Sequence, residues 1–247
     1  MSPLVLVIPV PQLPRPSRAL WIALIVTLAF SMLARWLRGV SPSGAVAGAV
    51  VCFALFAGAG PSAFFALASV FVLTWITTRL GYRRKQILGT AQNPQGRTGF
   101  QVLANLSVSA LCAGLFAATG RSALLLGMAA ALSEAAADTV SSELGQALSE
   151  NARLITTWKL VAAGTDGGVS LPGTAGGIAA AALVSLVLLL GGLLSREQFG
   201  IPVFAATIGM IGDGCMGATL ERRKLLSNNW VNFLGTLIAT GVALSLS

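Results

Sequence analysis

Long apolar runs separated by short polar stretches dominate the hydrophobic pattern of this chain. A helix that crosses the hydrocarbon core of a bilayer needs roughly 20 apolar residues. The pattern predicts eight such helices, at about residues 19–38, 43–58, 61–80, 99–118, 121–148, 173–193, 199–219 and 229–246. The second run is short and rich in glycine and alanine, and the fifth is long enough to emerge from the bilayer.

Residues 1–18 differ from the runs that follow, because five prolines interrupt a short apolar patch. The stretch lacks the charged start and the small-residue cleavage site that are typical of a signal peptide. We therefore expect a flexible or interfacial tail over residues 1–18, followed by a single transmembrane domain over residues 19–247.

Composition strengthens the membrane interpretation. The 247 residues are 55% hydrophobic and only 10% charged, and their mean hydropathy is +0.82. Soluble domains are usually about a quarter charged. We expect an all-α fold, a polytopic helical bundle of about eight transmembrane helices, some of them short or broken, in contact with the lipid bilayer.

The net charge of +8 comes from basic residues near the ends of the apolar runs. This placement is typical of the positive-inside rule and of contact with anionic lipid headgroups, so we do not expect a nucleic-acid partner. With both termini outside, every strongly basic loop faces the cytoplasm, although Arg15 and Arg18 disagree mildly. We interpret Arg83, Arg84 and Lys85 as anchors of this kind, and we expect a multi-pass protein of the inner (cytoplasmic) membrane.

Two residue types limit the possible chemistry. The sequence has no histidine, which excludes phosphohistidine intermediates, imidazole bases and histidine-ligated metals. Its three cysteines, Cys52, Cys112 and Cys215, lie in apolar stretches and have neither disulfide nor zinc spacing.

Five polar motifs interrupt the apolar pattern, and the predicted topology brings all of them to the cytoplasmic face. They are GRTGFQVLAN (96–105), EAAADTVSSELG (134–145), GTDGGVSLPG (164–173), GMIGDGCMGA (209–218) and NNWVN (228–232). Because chance would distribute such motifs over both faces, their convergence predicts one functional site.

Carboxylates are the most unusual members of these motifs. An acidic side chain at the centre of a membrane costs about 2.5–3.5 kcal/mol on insertion scales, so it usually faces a polar interior and has a function. Carboxylates without histidine or cysteine partners favour a hard cation such as Mg²⁺. The predicted metal ligands are Asp138, Glu143 and Asp213.

The other polar residues suggest phosphate binding. A glycine-rich turn before a helix can direct backbone N–H groups toward an anion, although such a turn is a weak signal by itself. The candidates for phosphate or nucleotide binding are Gly164, Thr165, Asp166, Gly167, Gly168, Ser170 and Arg153, with Arg97 and Lys159 as further cations nearby. The candidates for polar support are Gln101, Asn105, Glu134, Ser142, Asn228, Asn229 and Asn232. Asn228 has an alternative interpretation as a helix cap, and Glu134 as a buried partner of an arginine.

Five segments carry most of these motif residues: GRTGFQVLAN, ADTVSSELG, ITTWKLVAAGTDGGVSLPGTAGG, GDGCMGAT and NNWVNFLGT. These segments resemble the membrane protein family that contains plant phytyl-phosphate kinase. The resemblance covers roughly residues 19–246, and ADTVSSELG followed by GTDGGVSLPG is its most specific part. It implies functional positions at Asp138, Glu143, Asp166, Asp213, Asn105, Asn232, Arg97 and Lys159. The family more often has Asp-Ser at the position of Asp213-Gly214, so the missing hydroxyl is expected to change the substrate or the metal environment.

The resemblance implies a kinase that transfers a phosphoryl group from a nucleoside triphosphate, CTP in the plant case, to an isoprenoid monophosphate such as phytyl or geranylgeranyl phosphate. Under this hypothesis the acids hold Mg²⁺, the glycine turn and Lys159 bind the donor, and Arg97 neutralises the acceptor phosphate. A phosphate monoester is already largely ionised, so the reaction requires no histidine base. A transporter or flippase for a phosphorylated lipid or ion is the first alternative, and a membrane cytidylyltransferase is the second. The oligomeric state stays open.

Overall fold

The computed structural model describes residues 18–247, so the predicted tail up to residue 17 lies outside the described residues. Within this range the chain forms nine α-helices and three short strands. In chain order they are α1 (Arg18–Trp36), α2 (Pro42–Ala59), α3 (Pro61–Arg79), α4 (Tyr82–Leu88), α5 (Gly99–Thr119), α6 (Ala123–Leu148), β1 (Asn151–Leu154), β2 (Leu160–Ala162), β3 (Gly168–Val169), α7 (Leu171–Leu190), α8 (Gly200–Met216) and α9 (Asn228–Ser245). A π-helical turn, Gly217–Glu221, extends α8.

Eight of these helices correspond to the eight predicted runs. Seven of them are long and apolar enough to cross a membrane, namely α1, α2, α3, α5, α6, α7 and α8 with its π-helical turn. The eighth, α9, has 18 residues but begins with the polar sequence NNWVN. The prediction of an all-α, polytopic membrane bundle is confirmed.

Helix α6 forms the centre of the bundle. Every residue from Leu126 to Ala137 is buried, and α6 packs against α3, α5, α7, α8 and α9. Small residues allow this close approach: a Cβ added at Gly177 of α7 would lie 2.7 Å from the carbonyl oxygen of Ala137. The acidic residues of α6 are therefore held among other helices, away from lipid.

Local sequence signals explain where several helices begin. Ser41 and Ser170 accept hydrogen bonds from the amides of Gly44 and Gly173, at 3.2 and 3.3 Å, and a proline follows within two residues of each cap. Thr98 forms a capping box at the start of α5 with Gln101. Such caps satisfy amide groups that have no partner inside the helix.

The connection between α6 and α7 is a small antiparallel sheet with the strand order β2-β1-β3. In its register Ala152 pairs with Val161, and Arg153 pairs with Val169. The hydrophobic pattern does not predict these strands, because strands of two to four residues are too short to show a hydrophobic alternation. The sheet positions the glycine-rich turn, which lies between β2 and β3.

Candidate functional site

The loop before α5 places Arg97 against the loop before α2. Arg97 forms a parallel bridge with Val40, and its amide donates to the carbonyl of Gly39 at 3.0 Å. Gly96 makes this approach possible: its φ is +89°, and a Cβ there would lie 2.5 Å from backbone atoms of Gly39 and Val40. The backbone of Arg97 is thus fixed at the polar ends of α2 and α5.

The side chain of Arg97 is largely buried, with 18% of its surface exposed. Its guanidinium lies 3.9 Å from Glu143, and its Nε is buried with no hydrogen-bond partner within residues 18–247. Burial lowers the pKa of Arg97, while the charges of Glu143 and Asp138 oppose that shift. An arginine remains protonated in proteins, so Arg97 is a buried cation with donor capacity to spare.

Glu143 is held mainly by Lys85, which the sequence analysis assigned to lipid headgroups. The Nζ of Lys85 lies 2.5 Å from Oε2 of Glu143 and 2.7 Å from the carbonyl of Thr77, and the Lys85 side chain is fully buried. Thr78 donates to the other carboxylate oxygen at 2.8 Å. The interpretation of Lys85 as a headgroup anchor is therefore wrong: α4 directs this lysine inward, whereas Arg83 is exposed.

Three other carboxylates converge where α6 meets α8. The side chains of Asp138 and Asp213 lie within direct interaction range of each other, and Glu134, one turn before Asp138, lies within electrostatic range of both. Oδ2 of Asp213 and Oε1 of Glu134 are buried without a hydrogen-bond partner in the described part of the chain. Arg97 lies near enough to Asp138 for the two charges to attract each other. The three carboxylates and Arg97 therefore belong to one candidate site.

Two glycines make room for Glu134. A Cβ at Gly235 of α9 would lie 2.5 Å from the Oε1 of Glu134, and a Cβ at Gly209 of α8 would lie 2.7 Å from its Cγ. Side chains at these two positions would compete with Glu134 for the same space. The glycines thus let a carboxylate of α6 lie between α8 and α9.

The donor set fits a metal ion that relies on few protein ligands. No three His, Cys, Asp or Glu side chains among residues 18–247 gather into a group that could hold a metal ion by themselves. Glu143, one of the predicted ligands, already has both oxygens bonded to Lys85 and Thr78. Mg²⁺ commonly uses one or two carboxylates together with phosphate oxygens and water. Asp138 and Asp213 fit such an ion, because Oδ2 of Asp213 has no hydrogen-bond partner within residues 18–247.

A cavity of about 360 Å³ opens beside Arg97. Its polar end includes Arg97, Gln101 and Asn105, and its remaining walls come mainly from apolar residues of α1, α2, α3 and α6. This volume lies at the lower end of the roughly 300–1,000 Å³ of small-molecule sites. The cavity combines a cationic end with an apolar interior.

Neutral amides connect the cavity with α9. Asn105 donates to the carbonyl of Gln101 at 2.8 Å and accepts from Asn232 at 3.3 Å, and Gln101 also bonds to Gln92. Oδ1 of Asn232 is buried without a partner within the described residues. Three of the predicted supporting residues, Gln101, Asn105 and Asn232, therefore form one network.

The glycine-rich turn packs on the end of α8. Gly167 has a φ of +73°, and a Cβ there would lie 2.5 Å from the amide nitrogen of Ala218. Within the turn, Thr165 and Gly168 donate their amides to the carbonyls of Ala162 and Thr165, at 3.2 and 2.8 Å. These two amides are therefore already used, which reduces the number that could receive a phosphate.

Glu221 is a member of this region that the sequence analysis missed. It closes the π-helical turn after α8 and lies within electrostatic range of Asp166 and Asp138 and within side-chain range of Asn228. In the sequence it belongs to ERRK, where the basic residues dominate. The signal that could have found it is its spacing of eight residues from Asp213, which is about two helical turns.

Other predicted residues lie at the edge of this region or outside it. Ser142 is exposed and accepts from Gln146 at 2.9 Å. Arg153, in β1, donates to the carbonyl of Trp158 at 2.9 Å, and both Arg153 and Lys159, which lies in the connection between β1 and β2, are exposed. Ser170 caps α7, and Gly164 has a φ of +86° in the turn. Asn228 and Asn229 occupy the first turn of α9.

Comparison with known proteins places this arrangement in a family. The profile of the family described as "Integral membrane protein DUF92" matches residues 25–240. The chain is 30% identical over 222 residues to an uncharacterised membrane protein of Methanocaldococcus jannaschii, covering 89% of this chain and 90% of the relative. It is 33% identical over 198 residues to an uncharacterised membrane protein of Synechocystis, covering 76% of each.

A plant relative is also similar. The chain is 28% identical over 215 residues to protein VTE6, chloroplastic, of Arabidopsis thaliana, covering 83% of this chain and 65% of the relative. No solved structure matches the chain. The match over residues 25–240 and the archaeal relative together establish that the chain belongs to the integral membrane protein family DUF92.

Proposed function

We propose that this protein is a membrane-embedded prenyl-phosphate kinase, which transfers the terminal phosphoryl group of a nucleoside triphosphate, CTP by preference, to an isoprenoid monophosphate. The product is the isoprenoid diphosphate. The kinase motifs that resemble those of plant phytyl-phosphate kinase, and the similarity to protein VTE6, support this assignment.

One observation carries the proposal: a buried cation with unused donor capacity lies between an apolar cavity and a pair of carboxylates. Arg97 lines the cavity and acts on the charge of Asp138. An isoprenoid phosphate has the same two parts, an anionic head and a long apolar chain. Arginine suits the head because its planar fork can donate two parallel hydrogen bonds to a phosphate.

Phosphoryl transfer depends on positioning and on charge neutralisation more than on covalent participation by the protein. Arg97 binds the acceptor phosphate and reduces its repulsion toward the donor. One acceptor oxygen then forms a bond to the terminal phosphorus of the donor, while the bond from that phosphorus to the bridging oxygen breaks. The nucleoside diphosphate leaves with the electron pair of that bond, and no protein base is required when the acceptor is doubly ionised.

The lysine–glutamate pair contributes by holding Arg97. Lys85 already neutralises the charge of Glu143. The positive charge of Arg97 is therefore not required to balance Glu143 and remains available for a ligand. Asp138 and Asp213 are the residues that would hold Mg²⁺, which when bound neutralises donor phosphate oxygens. The basic residues Arg153 and Lys159 and the turn from Gly164 to Gly168 remain the proposed binding region for the nucleotide.

Purified protein in detergent, incubated with labelled nucleotides and geranylgeranyl phosphate, tests this function. We expect formation of geranylgeranyl diphosphate and nucleoside diphosphate. Asp138→Asn and Asp213→Asn should each reduce kcat by about 100-fold or more, the usual range for loss of one preorganised electrostatic group. Glu197→Gln, an exposed acid near the opposite helix ends, should leave the rate unchanged.

The products also separate the alternatives. Release of pyrophosphate in place of nucleoside diphosphate would indicate a cytidylyltransferase. Uptake of a labelled prenyl phosphate into proteoliposomes, without nucleotide turnover, would indicate a transporter or flippase. If Asp138→Asn has the same rate as the wild type, Asp138 has no part in the mechanism.

A further inference from the structure

The cavity beside Arg97 ends at a defined depth within the bundle. Its deepest lining residues are Phe30 of α1, Gly48 of α2, Leu67 of α3, Leu106 of α5 and Ala135 of α6. Beyond them the same helices contribute tightly buried core residues, including Val51, Cys52, Val108 and Leu132. These residues close the cavity, so the five deepest lining residues form its floor.

The floor lies part of the way across the membrane. Along α3 the lining extends from Arg79 to Leu67, a distance of about 18 Å at 1.5 Å per residue. The hydrocarbon core of a bilayer is about 30 Å thick. An apolar chain that enters beside Arg97 can therefore be enclosed only up to a limited length.

We propose that this cavity binds the isoprenoid chain of the acceptor and that its floor, at Phe30 and Gly48, sets the longest chain that the enzyme accepts. The inference rests on the proposed function for the identity of the ligand. Charge complementarity selects this occupant over a neutral hydrocarbon, because the guanidinium of Arg97, which lines the open end of the cavity, provides a positive charge for an anionic head.

Phe30 provides a rigid part of the floor. Its ring meets those of Phe64 and Phe71 edge to face, at centroid distances of 5.3 and 5.4 Å. Phe71 lines the cavity, whereas Phe64 lies behind Phe30 and does not line it. Removal of the Phe30 ring would therefore extend the cavity toward Phe64.

Gly48 provides the open part of the floor. A Cβ added at this position meets no heavy atom within 4 Å, so a larger side chain can be introduced without displacing backbone. Gly114 of α5 shares this property but does not line the cavity. The two glycines therefore form a matched pair for an experiment on chain length.

The experiment measures kcat/KM for geranyl, farnesyl, geranylgeranyl and hexaprenyl phosphate with the wild type, Gly48→Leu, Phe30→Ala and the control Gly114→Leu. Since each buried methylene changes affinity several-fold, Gly48→Leu should lower kcat/KM for geranylgeranyl phosphate by about tenfold and change that for geranyl phosphate little.

Phe30→Ala should shift the preference toward the longer chains, and Phe204→Ala on the outer surface of α8 is its control. If Phe30→Ala does not fold, Gly48→Leu alone still tests the floor.

Binding without nucleotide separates this inference from the proposed function. Thermal stabilisation of the same variants by each prenyl phosphate should follow the same chain-length order. If the wild type binds these compounds in that order but phosphorylates none of them, the kinase function fails and the cavity assignment stands. If the wild type is active and Gly48→Leu has the same chain-length profile as Gly114→Leu, the cavity assignment is overturned.

Discussion

Lys85 has a cationic head that is fully buried and that, among residues 18–247, contacts one carboxylate, that of Glu143. Removing one partner of a buried ion pair leaves an uncompensated charge and typically costs about 3–5 kcal/mol. We therefore expect Lys85→Met to lower the stability of the protein in detergent by this amount. Thermal unfolding followed by circular dichroism provides the measurement.

The double variant Lys85→Met/Glu143→Gln distinguishes charge from packing. Because it removes both charges, it should recover much of the stability that Lys85→Met loses. Arg83→Met, in the same short helix but exposed, should change stability little. A double variant no more stable than Lys85→Met would show that the ion pair is not the cause.

The direction of individual charged side chains is the feature that the sequence predicts least completely. Lys85 and Arg83 are indistinguishable in the sequence, since both follow an apolar run, and only the direction of α4 decides which one turns inward. Glu221 was missed for a related reason: neighbouring basic residues masked its charge. By contrast, the burial of Glu134 and Glu143 of α6 among other helices could be expected, because a carboxylate between apolar residues has to face away from lipid.

Among the helices, a close contact between α8 and α9 depends on glycine. A Cβ at Gly209 would lie 2.8 Å from the carbonyl oxygen of Gly235 and 3.0 Å from the Cβ of Ala239. Backbone at this distance cannot move without separating the helices, so Gly209→Ala should cost about 1–3 kcal/mol, as overpacking does. Chemical unfolding in detergent should show this loss.

The control for this prediction lies on α9. A Cβ at Gly241 meets no heavy atom within 4 Å, so Gly241→Ala should be neutral or should stabilise the helix by up to about 1 kcal/mol. Equal effects of the two substitutions would mean that glycine flexibility, and not the approach of α8 to α9, explains the result at Gly209.

The elements themselves could be predicted to different extents. The long helices followed from runs of apolar residues, because the bilayer demands a minimum length and excludes unpaired backbone. The strands Asn151–Leu154, Leu160–Ala162 and Gly168–Val169 lie outside these runs, where no such constraint applies. Their pairing depends on contacts between residues distant in sequence, which hydropathy does not report.

At the scale of the whole molecule, the orientation in the membrane is a proposal that rests on charge. Introduced cysteines test it in intact cells with a membrane-impermeant maleimide. Arg121→Cys and Arg196→Cys, in the connections with few charges, should be labelled from outside. Arg83→Cys and Lys159→Cys, at exposed positions of the basic connections, should be labelled only after the cells are permeabilised. The reverse pattern would place the candidate site on the outer face.

Whether α9 crosses the membrane decides whether the protein has an even number of membrane crossings. Its mean hydropathy is reduced by Asn228, Asn229 and Asn232 in its first turns, whereas the rest of the helix is apolar and packs against α5, α6 and α8. Because the side-chain nitrogen of Asn232 donates to Asn105 inside the bundle, the polar start does not prevent insertion beside the bundle. We therefore expect α9 to cross the membrane, so that Ser245→Cys, at its exposed last residue, is labelled in intact cells together with Arg121→Cys. Labelling of Ser245→Cys only after permeabilisation would mean that α9 ends on the side of the membrane where it begins. In that case, packing against a membrane-crossing α9 would not explain the burial of Glu134 and Asp213 beside Gly235.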